Sequence, residues 1–367
     1  MPRFSAFPGI RYAADDLSLV TAPPYDVIDD DERASLVARH PHNAVRIDLP
    51  REGDDPYVAA GARFASWLRD DVLVVDEPSL YLYRMSFDGE STLGVIGALG
   101  LEPPGTGDVL PHEHTTPKAK SDRLDLLRST AANLSPIWTL SLADGLSKLL
   151  DPDQAVPLGR WSDADGVEHE LWRVADDESV DRIVESVSSA PVVIADGHHR
   201  YETCLAFAAE RPDLAGAAAT LCYVVELAPD QLTVRPIHRL LRGVSIAALE
   251  EALRTEYELD AVEATGLALI TPAGRREMRP LRDSTDIDSV VLDRALAHLP
   301  PHELTFQHGT DNVTRAVHTG AADAGVLLRP VTVDQIARTA HAREKMPPKS
   351  TFFWPKPRTG TVFRSLS

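Results

Sequence analysis

A short β-branched run, Val192-Val193-Ile194, breaks at Asp196-Gly197 and passes through His198-His199-Arg200-Tyr201-Glu202-Thr203 into a helical run from Cys204 to Arg211. The period changes from strand to helix across one glycine, which predicts a strand, a tight turn and a helix whose first turn carries two histidines and an arginine. The first N–H groups of a helix have no internal partners and its dipole is positive there, so the position suits an anion. Arg200 adds a forked, permanently charged donor that matches phosphate oxygens. Gly197 removes the Cβ that would obstruct a ligand, and Asp196 either caps the helix or faces a hydroxyl. The stretch reads as a phosphate cradle formed by Gly197, His198, His199 and Arg200. It also reads as a capped surface helix with solvated histidines.

The second chemical stretch is Leu110-Pro111-His112-Glu113-His114-Thr115-Thr116-Pro117-Lys118, with Lys120 and Arg123 close behind. Its prolines interrupt any continuous helix, so the histidines and the glutamate project from a stiffened loop. A cationic group in an acidic chain points to an anionic ligand, which makes His112, His114, Thr115, Lys118 and Arg123 substrate-binding candidates. A salt-bridged connector is the bland alternative. A metal site from His112, His114, His198 and His199 is the other alternative, but the helical His-Glu-x-x-His spacing and cysteine ligands are both missing, so no metal ligands are assigned.

Composition narrows the partners. The formal net charge of −19, from 37 basic and 56 acidic residues, disfavours nucleic acid, whose affinity comes largely from neutralised phosphates. Cys204 and Cys222 are too few for a disulfide framework and read as buried thiols. The N-terminal residues lack a signal-peptide core and no later segment is apolar enough to span a bilayer, so the expectation is a cytoplasmic protein without membrane attachment.

Along the chain, Pro23-Pro24 mounts Tyr25 and Asp26 on a stiff extended segment, a further substrate-binding candidate pair. The acidic run Asp29-Asp30-Asp31-Glu32 starts a helix, Ala44 to Leu49 alternates as a strand, and Ala59 to Arg69 is amphipathic. Asp88-Gly89 between two β-rich runs signals a hairpin. The loop Pro103 to Val109 opens like a nucleotide-binding loop but sets Asp108 where a lysine belongs, so it is a turn. Ala217 to Leu227 and Thr233 to Pro236 flank Pro229-Asp230 as a second hairpin. The tail crowds Arg343, Lys345, Lys349, Lys356 and Arg358 among Phe352, Phe353 and Trp354. Lys349, Ser350 and Thr351 are read as folding back on the cradle, against the alternative of a packed strand with solvated lysines.

The run Asp196 to Thr203 resembles the phosphate box of the ParB/sulfiredoxin-like superfamily, and free-serine kinases of that superfamily carry a similar Asp-Gly-His-His-Arg run. Over nearly its full length the chain also resembles the bacterial domain-of-unknown-function family 1015. That likeness is carried by Ala22-Pro23-Pro24-Tyr25-Asp26-Val27-Ile28, Pro111-His112-Glu113-His114-Thr115, Asn133-Leu134-Ser135-Pro136, the box, and Met346-Pro347-Pro348-Lys349-Ser350-Thr351. The resemblance implies an α+β fold with a ParB/sulfiredoxin-like core at about 101–240, an α/β region at 1–100 before it and another at 241–367 after it. It also implies phosphoryl transfer from ATP or ADP, with Mg2+, to a small hydroxyl acceptor such as free L-serine. By that similarity Glu113 is the general base, and Asp196 and His198 complete the catalytic set. A phosphatase or other hydrolase of a small phosphoester, and a non-catalytic nucleotide-binding protein, are the alternatives.

Overall fold

The computed structural model describes residues 1–103, 105–112, 121–282 and 286–367. The fold is mixed α+β. Two compact units divide it: Met1–Thr233 with Pro355–Ser367, and Val234–Trp354.

The first unit is built on a nine-stranded sheet. In spatial order its strands are Val109–Pro111, Val192–Asp196, Ile137–Ser141, Ala219–Glu226, Glu90–Gly100, Leu80–Phe87, Glu168–Val174 and Val156–Ser162, with Phe4–Ser5 paired to Glu90–Gly100. Asp88 and Gly89, at φ 53° and 83°, make the primed turn that the hairpin signal anticipates, and Phe87 faces Glu90 across it. Leu82, Val95, Leu99, Ile137, Val192, Ile194 and Val224 fill the core beneath the helix Asp177–Ser188, which contributes Ile183 and Val187. Each such side chain stabilises the unit by roughly 1.5–3 kcal/mol. Both cysteines are free and buried, as the sequence suggests.

A smaller sheet aligns Leu73–Val75, Gly9–Tyr12, Phe363–Ser365 and Ala132–Asn133. It ties the last residues of the chain to Asn133, whose amide oxygen accepts from Arg364 at 3.3 Å and from the Leu221 N–H at 3.0 Å. Within the second unit a six-stranded sheet runs Tyr257–Leu259, Gly274–Pro280, Ala268–Thr271, Ala324–Leu327, His238–Arg242 and Glu303–Gln307.

Two local expectations are corrected. Residues Val45–Asp48 form a helical turn, because the Asn43 amide oxygen accepts the Val45 N–H at 3.0 Å and so starts a turn that buries Val45, Ile47 and Asp48 together. Alternation over so few residues does not separate the two structures. The strand Ala219–Glu226 pairs with Glu90–Gly100 and Ile137–Ser141 rather than with Thr233–Arg235, since an apolar run buried on both faces is worth more inside a sheet than in an isolated hairpin. The acidic run is confirmed as a helix start: Asp29 caps Asp30–Arg39 by accepting the Glu32 N–H at 2.8 Å. Among the described residues no helix is long and apolar enough to cross a membrane.

Candidate functional site

The site grows from one register. Val109–Pro111 and Val192–Asp196 run parallel, with Ile194 opposite Pro111, so the chain leaves both strands at the same end of the sheet. The loop that begins at His112 therefore emerges beside the box. His112 is buried, its Nδ1–H donates to the Ile194 carbonyl, and its ring centroid lies 4.9 Å from that of His198. Glu113, His114, Thr115 and Lys118 lie outside the described residues.

Gly197 stands at the turn with φ 92° and ψ 27°, a left-handed conformation that costs an L side chain about 1–2 kcal/mol. A Cβ there would also sit 3.0 Å from the Arg200 side chain. The helix His198–Glu210 follows with no side-chain cap, so its first N–H groups are not taken by Asp196. His198 is buried, while His199 is partly exposed with Nδ1 3.9 Å from the Glu202 carboxylate. Tyr201 anchors the helix by accepting the Glu102 N–H at 2.9 Å and donating to the Glu102 carbonyl at 3.1 Å.

Asp196 does something other than capping. Its carboxylate accepts from Arg200 Nη2 and from Lys356 Nζ, the latter at 2.7 Å. Burial would raise its pKa, but Lys356 and then Arg200 outweigh burial and hold it down at about 2. A carboxylate so held is a permanent anion and a poor proton acceptor at neutral pH. Lys356 is itself only 12% exposed and its Nζ lies 3.5 Å from Asp26. Burial pulls its pKa down, yet the two carboxylates leave it raised. Arg200 spends its other terminal nitrogen on the Pro136 carbonyl and, at 3.4 Å, on the Ser135 hydroxyl. The Asn133-Leu134-Ser135-Pro136 stretch is thus the backstop that aims Arg200.

On the far side of Arg200, Tyr25 lies against Arg123, with the guanidinium 4.0 Å from the ring centroid. Burial raises the Tyr25 pKa while Arg200 and Arg123 oppose the rise. Arg123 donates through Nη1 to the Asp48 carbonyl at 2.7 Å and carboxylate at 3.1 Å, and through Nε to Asp122 at 3.0 Å. Thr359 Oγ1 donates to the other Asp48 oxygen at 3.2 Å. Burial nevertheless leaves the Asp48 carboxyl raised, against Arg123 and Arg200.

Tyr25, Asp26, His112, Arg123, Asp196, His198, His199 and Arg200 all belong to the first unit. Lys349, Ser350 and Thr351 belong to the second, where Ser350 donates to the Pro347 carbonyl at 2.8 Å and shares a hydrogen bond with Ser289 at 3.0 Å. The tail residue at Asp196 is Lys356. Asp48 and Lys356 are the site residues that sequence reasoning does not assign; the basic tail signals the lysine without saying which one. The loop Pro103–Asp108, of which Pro104 lies outside the described residues, is no phosphate nest: the Glu102 carboxylate accepts its Asp108 and Val109 N–H groups at 2.6 and 2.9 Å. Among the described residues no cluster of histidine, cysteine and acidic side chains has the form of a metal site.

A family model described as "Protein of unknown function (DUF1015)" matches residues 4–300. No curated protein matches the chain. Among solved structures the chain is similar to SbnI with C-terminal truncation from Staphylococcus aureus, at 13% identity and TM-score 0.44 over 72% of this chain and 85% of that one. It is also similar to a free serine kinase variant in complex with AMP, at 14% identity and TM-score 0.39 over 69% and 88% of the two chains. A conserved hypothetical protein from Pyrococcus furiosus aligns at 13% identity and TM-score 0.37 over 68% of this chain and 90% of that one.

Proposed function

The chain belongs to the DUF1015 family, and on that premise we propose that it is a small-molecule kinase transferring a phosphoryl group from ATP or ADP to a hydroxyl acceptor, with free L-serine as the first acceptor to test. The observation that carries this reading is the pairing of Asp196 with the buried Lys356 and Arg200 at the start of the helix His198–Glu210. A fixed anion, two cations and the positive end of a helix dipole at one point are what phosphoryl transfer needs, because its catalysis is mainly positioning and charge stabilisation. The box resemblance to free-serine kinases points the same way, and we read the strand, turn and helix around Gly197 as the heart of a ParB/sulfiredoxin-like core within 101–240.

The N–H groups of His198, His199 and Arg200, with Lys356, hold the donor phosphates. Asp196 and Asp26, both within 3.5 Å of Lys356, present the oxygen donors that Mg2+ prefers. These two carboxylates would hold Mg2+ bound with the nucleotide, and its charge would offset the charge that builds on the phosphate oxygens. The depressed pKa of Asp196 leaves proton abstraction to another group, and Glu113, on the loop that begins beside the box, takes that role by the resemblance. The acceptor oxygen bonds to the terminal phosphorus, its proton passes to Glu113, and the shortened nucleotide leaves. The net charge of −19 argues for a discrete phosphorylated ligand and against nucleic acid.

Incubating the purified protein with ATP or ADP, Mg2+ and a pool of hydroxy amino acids, then searching by mass spectrometry for a phosphorylated product, tests the proposal. A new phospho-amino acid that disappears in Arg200→Ala supports it. Phosphate release from a phosphoester without any nucleotide would replace the kinase with a hydrolase, and nucleotide binding without turnover would replace it with a sensor.

A further inference from the structure

We infer that the recess beside Arg200 is a binding subsite for a small zwitterion, a compound that carries an ammonium and a carboxylate close together. The kinase reading makes this compound the acceptor; the binding itself does not depend on that reading. The recess is lined by Tyr25, Asp48, Arg123, Ser135, Arg200 and Thr203, among others, and measures about 50 Å³. That volume takes a few waters or the polar end of a small metabolite and is far below the roughly 300 Å³ at which pockets hold drug-sized ligands. A purine does not fit, so the recess is distinct from the place of a nucleotide base.

Its walls carry both signs of charge with hydrogen-bonding capacity to spare. Asp48, 3% exposed, accepts from Arg123 and Thr359, while an ionised carboxylate has about four acceptor sites. Arg123 is engaged through Nε and Nη1, and among the described residues its Nη2 makes no hydrogen bond. Ser135 accepts from Arg200 at 3.4 Å and keeps its own hydroxyl proton to donate. Tyr25 meets Arg123 through its ring and likewise retains its hydroxyl proton. A pure anion in this recess would face the buried Asp48 carboxylate, and a pure cation would face two guanidiniums. A zwitterion places its ammonium on Asp48 and its carboxylate on Arg123, leaving no buried charge unpaired.

Calorimetric titration of the whole protein with L-serine, glycerate and ethanolamine, and separately with AMP, decides the matter. Glycerate lacks the ammonium and ethanolamine lacks the carboxylate, and each is expected to bind at least about tenfold more weakly than L-serine. Asp48→Asn raises the L-serine Kd by at least about tenfold, narrows the gap to glycerate and leaves AMP unchanged. If Asp48→Asn does not fold, Tyr25→Phe keeps every charge in place and weakens L-serine about 3- to 10-fold at unchanged AMP affinity. Glycerate binding as well as L-serine overturns the inference. So does AMP binding without L-serine binding, which leaves the donor half of the kinase reading standing. L-serine binding without AMP upholds the subsite and removes the kinase, and failure of both ligands removes both.

Discussion

Replacing Lys356 by methionine isolates the contact on which the site turns. The substitution keeps most of the aliphatic stem and deletes the ammonium that lies 2.7 Å from Asp196. In the folded protein Asp196 titrates at about 2 against an ordinary 3.8, a difference worth about 2.5 kcal/mol at 1.36 kcal/mol per pH unit. Burial opposes that shift and Lys356 is the largest of the cationic contributions, ahead of Arg200 and His198, so its removal abolishes most of the gain while Arg200 prevents complete loss of pairing. The expected destabilisation at pH 7 is about 2–3 kcal/mol, or about 5–10 °C in Tm for a unit of this size. The sign follows from linkage. A depressed carboxylate pKa gives stability that is present above the unfolded value of 3.8 and lost as pH falls through about 2. Lys356 has a raised pKa, so its share is present below 10.5 and lost as pH rises through the folded value. The gap between wild type and Lys356→Met should therefore be widest from about pH 4 to 10 and close toward pH 2. Calorimetric unfolding across that range measures it. Equal stability at pH 7, or a gap that stays constant down to pH 2, refutes the reasoning.

Gly197→Ala should cost about 1–2 kcal/mol, from the left-handed backbone and the crowding of Arg200, and weaken AMP binding; urea unfolding that matches wild type contradicts this. In the second unit His238 is buried and accepts the Leu328 N–H at 3.1 Å through Nδ1; burial, then His308 and Arg239, lower its pKa to about 4. The unfolded chain thus binds more protons between pH 6.5 and 4, and stability falls by about 3 kcal/mol as pH drops through that window. His238→Gln should flatten the slope, read by hydrogen exchange of His238–Arg242, and an unchanged slope counts against it. Glu113→Gln should lower kcat about 10²- to 10⁴-fold with AMP affinity intact. A variant that loses AMP affinity but keeps kcat contradicts the base assignment.

Local chemistry was readable in the sequence wherever neighbours in the chain decide it. Asp88-Gly89 specifies its own turn, Asp29 its own cap, and the glycine at 197 its own left-handed bend. Long-range pairing was not readable. Nothing near Lys356 in the chain indicates that it meets Asp196, and the tail offers other lysines of equal promise. Asp48 was hidden for a related reason: in a strand it would be one of several alternating polar residues, whereas the helical turn started by Asn43 buries it beneath Arg123 and Thr359. The placement of His112 beside the box follows from a parallel register that only the assembled sheet contains.

The central claim is that the start of the helix His198–Glu210 and Lys356 receive a nucleotide's phosphates. Crystals of the protein soaked with AMP or ADP and Mg2+ test it most directly. Phosphate oxygens are expected within hydrogen-bonding distance of the N–H groups of residues 198–200 and of Lys356 Nζ. A nucleotide bound elsewhere, with Asp196 and Lys356 still paired and no phosphate at the helix start, contradicts it.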